Sequence, residues 1–209
     1  MDKKKIFKTL ILIICILIFL FLINLGRKAY IISKYSNEYK KYLEVTNYYK
    51  KSMPEDDTIV EIWRKDQLGL LKRTSKDDTK MIYYGEDYNW IFVENLDGKT
   101  AVKMKKEGEG IETQNLISGT LYINNFWDII KMSFISKITD EKINNTKCYK
   151  VWINEEWQMY INKNNFLVMR EINGSTDTGI IEYKINEVKN EDVKMPSLDG
   201  YNINDTTPK

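Results

Sequence analysis

The chain has 209 residues, 32 of them Lys or Arg and 30 Asp or Glu, with two cysteines and no histidine. A formal charge of +2 gives no strong pull toward nucleic acid. Without histidine, Ser-His-Asp chemistry and His-built metal centres are excluded, and two cysteines cannot make a Cys-rich zinc site. The length accommodates one domain and an anchor. Heavy use of Ile, Lys and Asn points to a bacterium with AT-rich codons.

Between Ile6 and Leu25 the only polar residues are Lys8, Thr9 and Asn24, all near an end. About 20 such residues form a helix of roughly 30 Å, the thickness of a bilayer core. Lys3, Lys4, Lys5 and Lys8 mark its start, and Arg27 and Lys28 its end. This pattern keeps the short tail in the cytoplasm and sends the rest outward, as in a single-pass protein of the cell membrane. A cleaved signal peptide would carry a shorter apolar run and a small-x-small site, which INLGRKAY does not offer. Length therefore favours retention over cleavage. Cys15 lacks the small residues that precede a lipidated cysteine, and Cys148 reads as buried and inert, with no partner outside. The expected division is 1–28 tail and anchor, 29–205 extracytoplasmic domain, and 206–209 disordered tail.

Ile31, Tyr35, Tyr39, Tyr42 and Tyr49 recur at helical spacing, so an amphipathic helix is expected to run on until Met53-Pro54. Its tyrosine stripe packs on the following domain. From Thr58, β-branched and aromatic runs alternate with turn residues: TIVEIW, LGLLKR, TKMIYYG, YNWIFVEN and TAVKMKK. The short links require antiparallel pairing, and Asp97-Gly98 is a hairpin signal. Lys106 to Ser118 reads as a loop. LYINNFWDIIKMSFI, with Leu121, Phe126, Trp127, Ile129, Ile130 and Phe134, reads as a short helix with a wide apolar face. Strands resume in SKITDEKI, KCYKVWI, WQMYIN, FLVMREI and GIIEYKINEV. Asn144-Asn145 is a turn, and a longer loop follows Asn173-Gly174. The alternation in the last strand fits a single curved sheet covered on one side. The C-terminal tail from Asp192 is read as irregular. The fold class is α+β, about ten mostly antiparallel strands with a helix at the start and another in the middle.

Several motifs resemble the LolA/LolB and LppX-like lipoprotein-carrier family. TIVEIWRKDQLGLLKR resembles its opening strand pair, and TKMIYYGEDYNWIFVEN its next hairpin. INNTKCYKVWINEEWQMYINKNNFLVMREING is the fullest match, and DVKMPSLDGYNIND resembles the closing Pro-containing segment. The resemblance implies an incomplete antiparallel β-barrel wrapped over helices, with a hollow that holds lipids or lipid-modified proteins. An RseB-like branch instead senses envelope components. A tethered chain does not fit a long-range shuttle. The expectation is a non-catalytic, membrane-tethered module for lipid or lipoprotein acyl chains. The alternative is a sensor domain that contacts another envelope protein.

Acyl chains need adaptable apolar walls and no charges. Tyr88, Trp90 and Phe92 share one strand face. Trp157, Met159 and Ile161 share another, as do Ile181, Tyr183 and Ile185, while Phe126 and Ile130 come from the helix. Each reads as core packing first and ligand lining second. Glu155-Glu156, Asp56-Asp57 and Asp77-Asp78 read as solvated turns. Gly108-Glu109-Gly110 lacks the Lys-Ser/Thr of a phosphate loop. Lys103, Lys105 and Lys106 read as a solubilising edge that also suits anionic headgroups. No catalytic set, metal site, cofactor or nucleic-acid partner is expected, and the partners are the membrane, a lipid or an envelope protein.

Overall fold

The computed structural model of the protein describes residues 3–54, 57–106, 110–111, 114, 116, 123 and 125–207. Helix α1 (Lys3–Leu43) is continuous for 41 residues, about 60 Å at 1.5 Å per residue. It crosses the expected boundary at residue 28 without a break. Gly26 is the weakest helix former in that region, and Leu25 and Arg27 flank it with good helix propensity, so its cost of about 1 kcal/mol is absorbed. The first part is exposed and long and apolar enough to cross a membrane. The second part is core, with Ile31, Ile32 and Tyr35 fully buried.

The helix stops at Leu43, earlier than the tyrosine spacing predicts. Asn47–Met53 is strand β1, so Tyr49 belongs to a sheet. Its neighbours Tyr48 and Lys50 point to the opposite face. Strands β2 (Ile59–Lys65), β3 (Leu68–Thr74), β4 (Asp78–Tyr84), β5 (Tyr88–Asn95) and β6 (Gly98–Lys105) follow as a meander. Helix α2 (Phe126–Ile135) comes next, then β7 (Lys137–Ile143), β8 (Thr146–Trp152), β9 (Trp157–Asn162), β10 (Val168–Asn173), β11 (Thr176–Asp177), β12 (Ile180–Ile185) and β13 (Asn202–Asp205).

The strands form two open sheets where a single one is expected. One has eight strands in the order β12-β1-β2-β3-β4-β5-β6-β13, and the other five in the order β11-β10-β9-β8-β7. Neither closes on itself. Among the described strands every pair is antiparallel except β13 on β6, which is parallel. The segment read as an irregular tail thus supplies an edge strand, and Thr206 donates through N–H and Oγ1 to the Lys103 carbonyl. The Asn173-Gly174 link is a tight turn, since Asn173 pairs directly with Thr176. Asn144 and Asn145 both take the left-handed backbone that a two-residue hairpin turn demands.

Register fixes the two faces of the large sheet. Tyr183, Lys50, Ile62, Leu71, Ile82 and Ile91 run across β12 to β5 as one in-register row. From this row Tyr183, Ile62, Leu71 and Ile82 share a core with Ile31, Ile32, Tyr35 and Tyr48. In the small sheet Ile138, Val151 and Met159 form the corresponding row, which ends at Glu171. The inner rows meet at the seam between β12 and β10, where the Tyr183 hydroxyl donates to the Val168 carbonyl at 2.8 Å.

Helix α2 begins with a capping box. The Asn125 side chain accepts from the Asp128 amide at 3.0 Å, and the Asp128 carboxylate accepts from the Asn125 amide at 3.2 Å. Asn125→Ala should cost about 1 kcal/mol, read as a lower thermal midpoint of the detergent-solubilised chain.

Candidate functional site

The point where α1 leaves the domain is tied down by polar contacts. Arg27 donates two bonds to the Asp140 carboxylate, at 2.9 and 3.0 Å. Lys163 also pairs with Asp140, and Lys163 first and Arg27 second hold this carboxyl below the usual aspartate range. Lys28 Nζ donates to the Ser136 carbonyl at 2.5 Å. Basic residues that the sequence offers only as flanks of an apolar run therefore fasten β7 and the end of α2 to α1.

Helix α2 lies beside α1 and faces two ways. Ile129 and Met132 pack on the core and Ser133 is fully buried. Trp127 is 75% exposed, Phe126 65%, Phe134 56% and Ile135 52%. The Phe134 ring lies 6.2 Å from that of Phe21, which belongs to the apolar half of α1. Just beyond Ile135 an open cleft is lined by Ile135, Lys137, Trp152, Ile153, Asn154 and Glu155. The ammonium groups of Lys137 and Lys150 sit 4.8 and 4.4 Å from the Trp152 ring centre. At these distances cation–π attraction orients both lysines over the indole. The cleft joins apolar walls to cations at the end of the domain that the membrane-length segment enters.

A second cluster is internal. At the sheet seam Lys50 and Glu171 are both buried. Burial pulls the Lys50 ammonium down to about 8, against the opposing field of Glu171. The Trp157 indole donates to Glu171 at 2.8 Å. Burial pushes the Tyr35 and Tyr183 hydroxyls well above the usual tyrosine range. These groups join the two sheets, with Lys50, Glu171 and Tyr35 buried and the Trp157 and Tyr183 side chains half-buried around them.

The residues expected to line a hollow fall into three places. Trp157, Met159, Ile161, Tyr183 and Ile185 belong to the core against α1, and Ile181 is fully buried on the same face of β12. Tyr88, Trp90 and Phe92 share a face, and register puts it on the side of the large sheet away from α1. There the C-terminal segment covers Phe92, which Tyr201 meets edge-on at 5.3 Å, while Trp90 is half-buried and Tyr88 exposed. Phe126 is exposed on α2, and Ile130 is half-buried there. Among the described residues Ile31, Ile32 and Tyr35 of α1 share a buried core with Ile111, Leu116 and Ile123.

Cys148 is buried, and burial raises its thiol above the usual range, which keeps it protonated and inert. Glu155 and Glu156 are exposed in the β8–β9 turn, and Asp57 and Asp77 are exposed. Asp78 opens β4. Lys103 caps the Tyr88 ring at 4.1 Å on the outer face. Asp56, Gly108, Glu109 and Leu121 lie outside the described residues. Among those described, no group of acidic or cysteine side chains is placed to hold a metal ion. Reading the sequence for hollows missed Trp152, Ile153 and Lys137. The available signal was the breadth of apolar residues in FWDIIKMSFI, more than one buried face can use. No protein-family model and no curated protein matches the chain.

Proposed function

We propose that this chain is a membrane-tethered, non-catalytic envelope module that binds lipid or the acyl chain of a lipoprotein, with its sheet domain outside the cytoplasm. The observation that carries the reading is the cleft of Ile135, Trp152 and Ile153 with Lys137 at its rim, beside the exposed apolar side of α2. An acyl chain gains about 0.8 kcal/mol per buried methylene on such walls, and a lysine pairs with a phosphate or carboxylate headgroup. Retention of α1 as a single-pass anchor is supported by its continuity, because the helix that fills the core is the helix that carries the apolar segment. Two open sheets against a central helix are also what a half-barrel related to the lipoprotein carriers would look like. In this reading the acyl chain is taken up at the rim beside α2, where Ile135, Trp152 and Ile153 form the wall.

The test is native mass spectrometry of the full chain purified from membranes in mild detergent. Retained phospholipid or acylated species are expected, with Ile153→Asp and Trp152→Ala each reducing the bound fraction several-fold. A chain that carries no lipid at any detergent level would overturn the reading. Stable co-isolation of an envelope protein without lipid would favour the sensor alternative.

A further inference from the structure

We infer that α2 is a second membrane contact, running back along α1 so that Phe134 and Ile135 enter the leaflet nearest the domain and Trp127 stands at its headgroup level. The inference takes α1 as a retained span and is independent of lipid capture in the cleft.

Three observations converge on a bilayer as the occupant of this face. The first is depth. Phe21 lies six residues before Arg27, about 9 Å along the helix, inside the stretch that matches hydrocarbon. Because the Phe134 ring sits 6.2 Å from Phe21, the C-terminal turn of α2 is held below the polar boundary whenever α1 spans. The second is composition. Trp127, Lys131 and Phe134 form one exposed stripe at helical spacing, flanked by Phe126 and Ile135. An indole and a phenyl ring around one lysine match an interfacial helix, in which the lysine stem follows the apolar surface and its ammonium reaches the headgroups. The third is attachment. The Lys28–Ser136 and Arg27–Asp140 contacts fix the far end of α2 within one turn of the end of the span. The helix cannot swing away from the bilayer without breaking them. The Ser36 hydroxyl donates to the Ile123 carbonyl at 3.2 Å, so the other end of α2 rises along α1 toward the domain and only its last turns reach the depth of Phe21.

The experiment uses the full chain in vesicles of phosphatidylcholine with anionic lipid, a fraction of it brominated on shallow acyl positions. Tryptophan emission is compared between wild type and Trp127→Phe, and the difference isolates Trp127. Trp127 is exposed, so the variant leaves the core intact. The expected result is that brominated lipid quenches the Trp127 emission strongly, that aqueous acrylamide barely does, and that Phe134→Glu reverses this preference. Acrylamide quenching as strong as for a free indole would place Trp127 in water and overturn the inference. Protection from both quenchers would also overturn it, because a second copy or a protein partner would then cover the face. Trp152→Phe should leave the Trp127 signal unchanged, which separates this contact from the cleft.

Discussion

Gly179→Ala is expected to lower the thermal midpoint of the chain by about 10 °C, corresponding to about 3 kcal/mol or more. Gly179 sits where β11 hands over to β12 and bridges Met53 at the end of β1. Its φ is +61°, a left-handed conformation that alone costs an L side chain about 1–2 kcal/mol. A Cβ there would stand 1.6 Å from the Met53 carbonyl oxygen, which is backbone and has no rotamer to yield. Strand β1 must then move, and with it the seam that joins the two sheets. Gly174→Ala is the matched control. Its φ is +59°, but an added Cβ meets nothing within 4 Å, so only the backbone term of about 1 kcal/mol applies. Differential scanning of both variants in the same detergent separates the steric part from the conformational part. Equal shifts would mean that the seam is not packed as described.

Lys50 gives the second large effect, on the pH dependence of stability. Its ammonium is pulled down to about 8 in the folded chain, chiefly by burial, from an ordinary value of 10.5. Between these two values the unfolded lysine holds a proton that the folded one has released. Stability therefore rises with pH across that window, by at most about 3 kcal/mol for a shift of this size. Below about pH 8 both states are protonated and the folded state bears the full cost of the buried charge. Cys148 works in the opposite direction. Burial raises its thiol, so its contribution is present below its unfolded value and fades as pH increases. The buried tyrosines behave likewise above about pH 10. The difference between wild type and Lys50→Met removes these shared terms. Chemical denaturation at pH 7.5, 8.5 and 9.5 should show the wild type gaining stability relative to the variant at each step. Parallel profiles for the two chains would show that Lys50 is not desolvated.

Much of the strand ladder was legible because period-2 alternation and turn chemistry are local. Asn144-Asn145 and Asp97-Gly98 announce their hairpins through backbone conformations that few other residues accept. The first strand was not legible in this way. Tyr42 and Tyr49 stand seven apart, which satisfies a helix, and only pairing with β2 and β12 makes Asn47–Met53 extended. Strand β13 was hidden for a different reason. NIND is exposed at every position, so no buried face marks it. The spacing of Tyr88, Trp90 and Phe92 correctly puts them on one side of β5, but parity does not say which side faces the helix. Both faces of the large sheet carry aromatic residues, because Val188, Val193 and Tyr201 cover the outer one. For the candidate site, the apolar breadth of α2 was visible, whereas the cleft beside it depends on where Lys28 and Arg27 hold β7.

The unbroken run of α1 from the apolar segment into the sheets has a mechanical corollary. With α1 retained as the proposed span, a stiff rod embedded at one end and clamped at the other would be a lever. A thinner bilayer makes such a rod lean further from the normal, and a thicker one stands it upright. With no break in the helix between the two halves, a retained span would pass that change in lean whole to the strands, and the orientation of the domain would then report the thickness of the sheet of lipid around it.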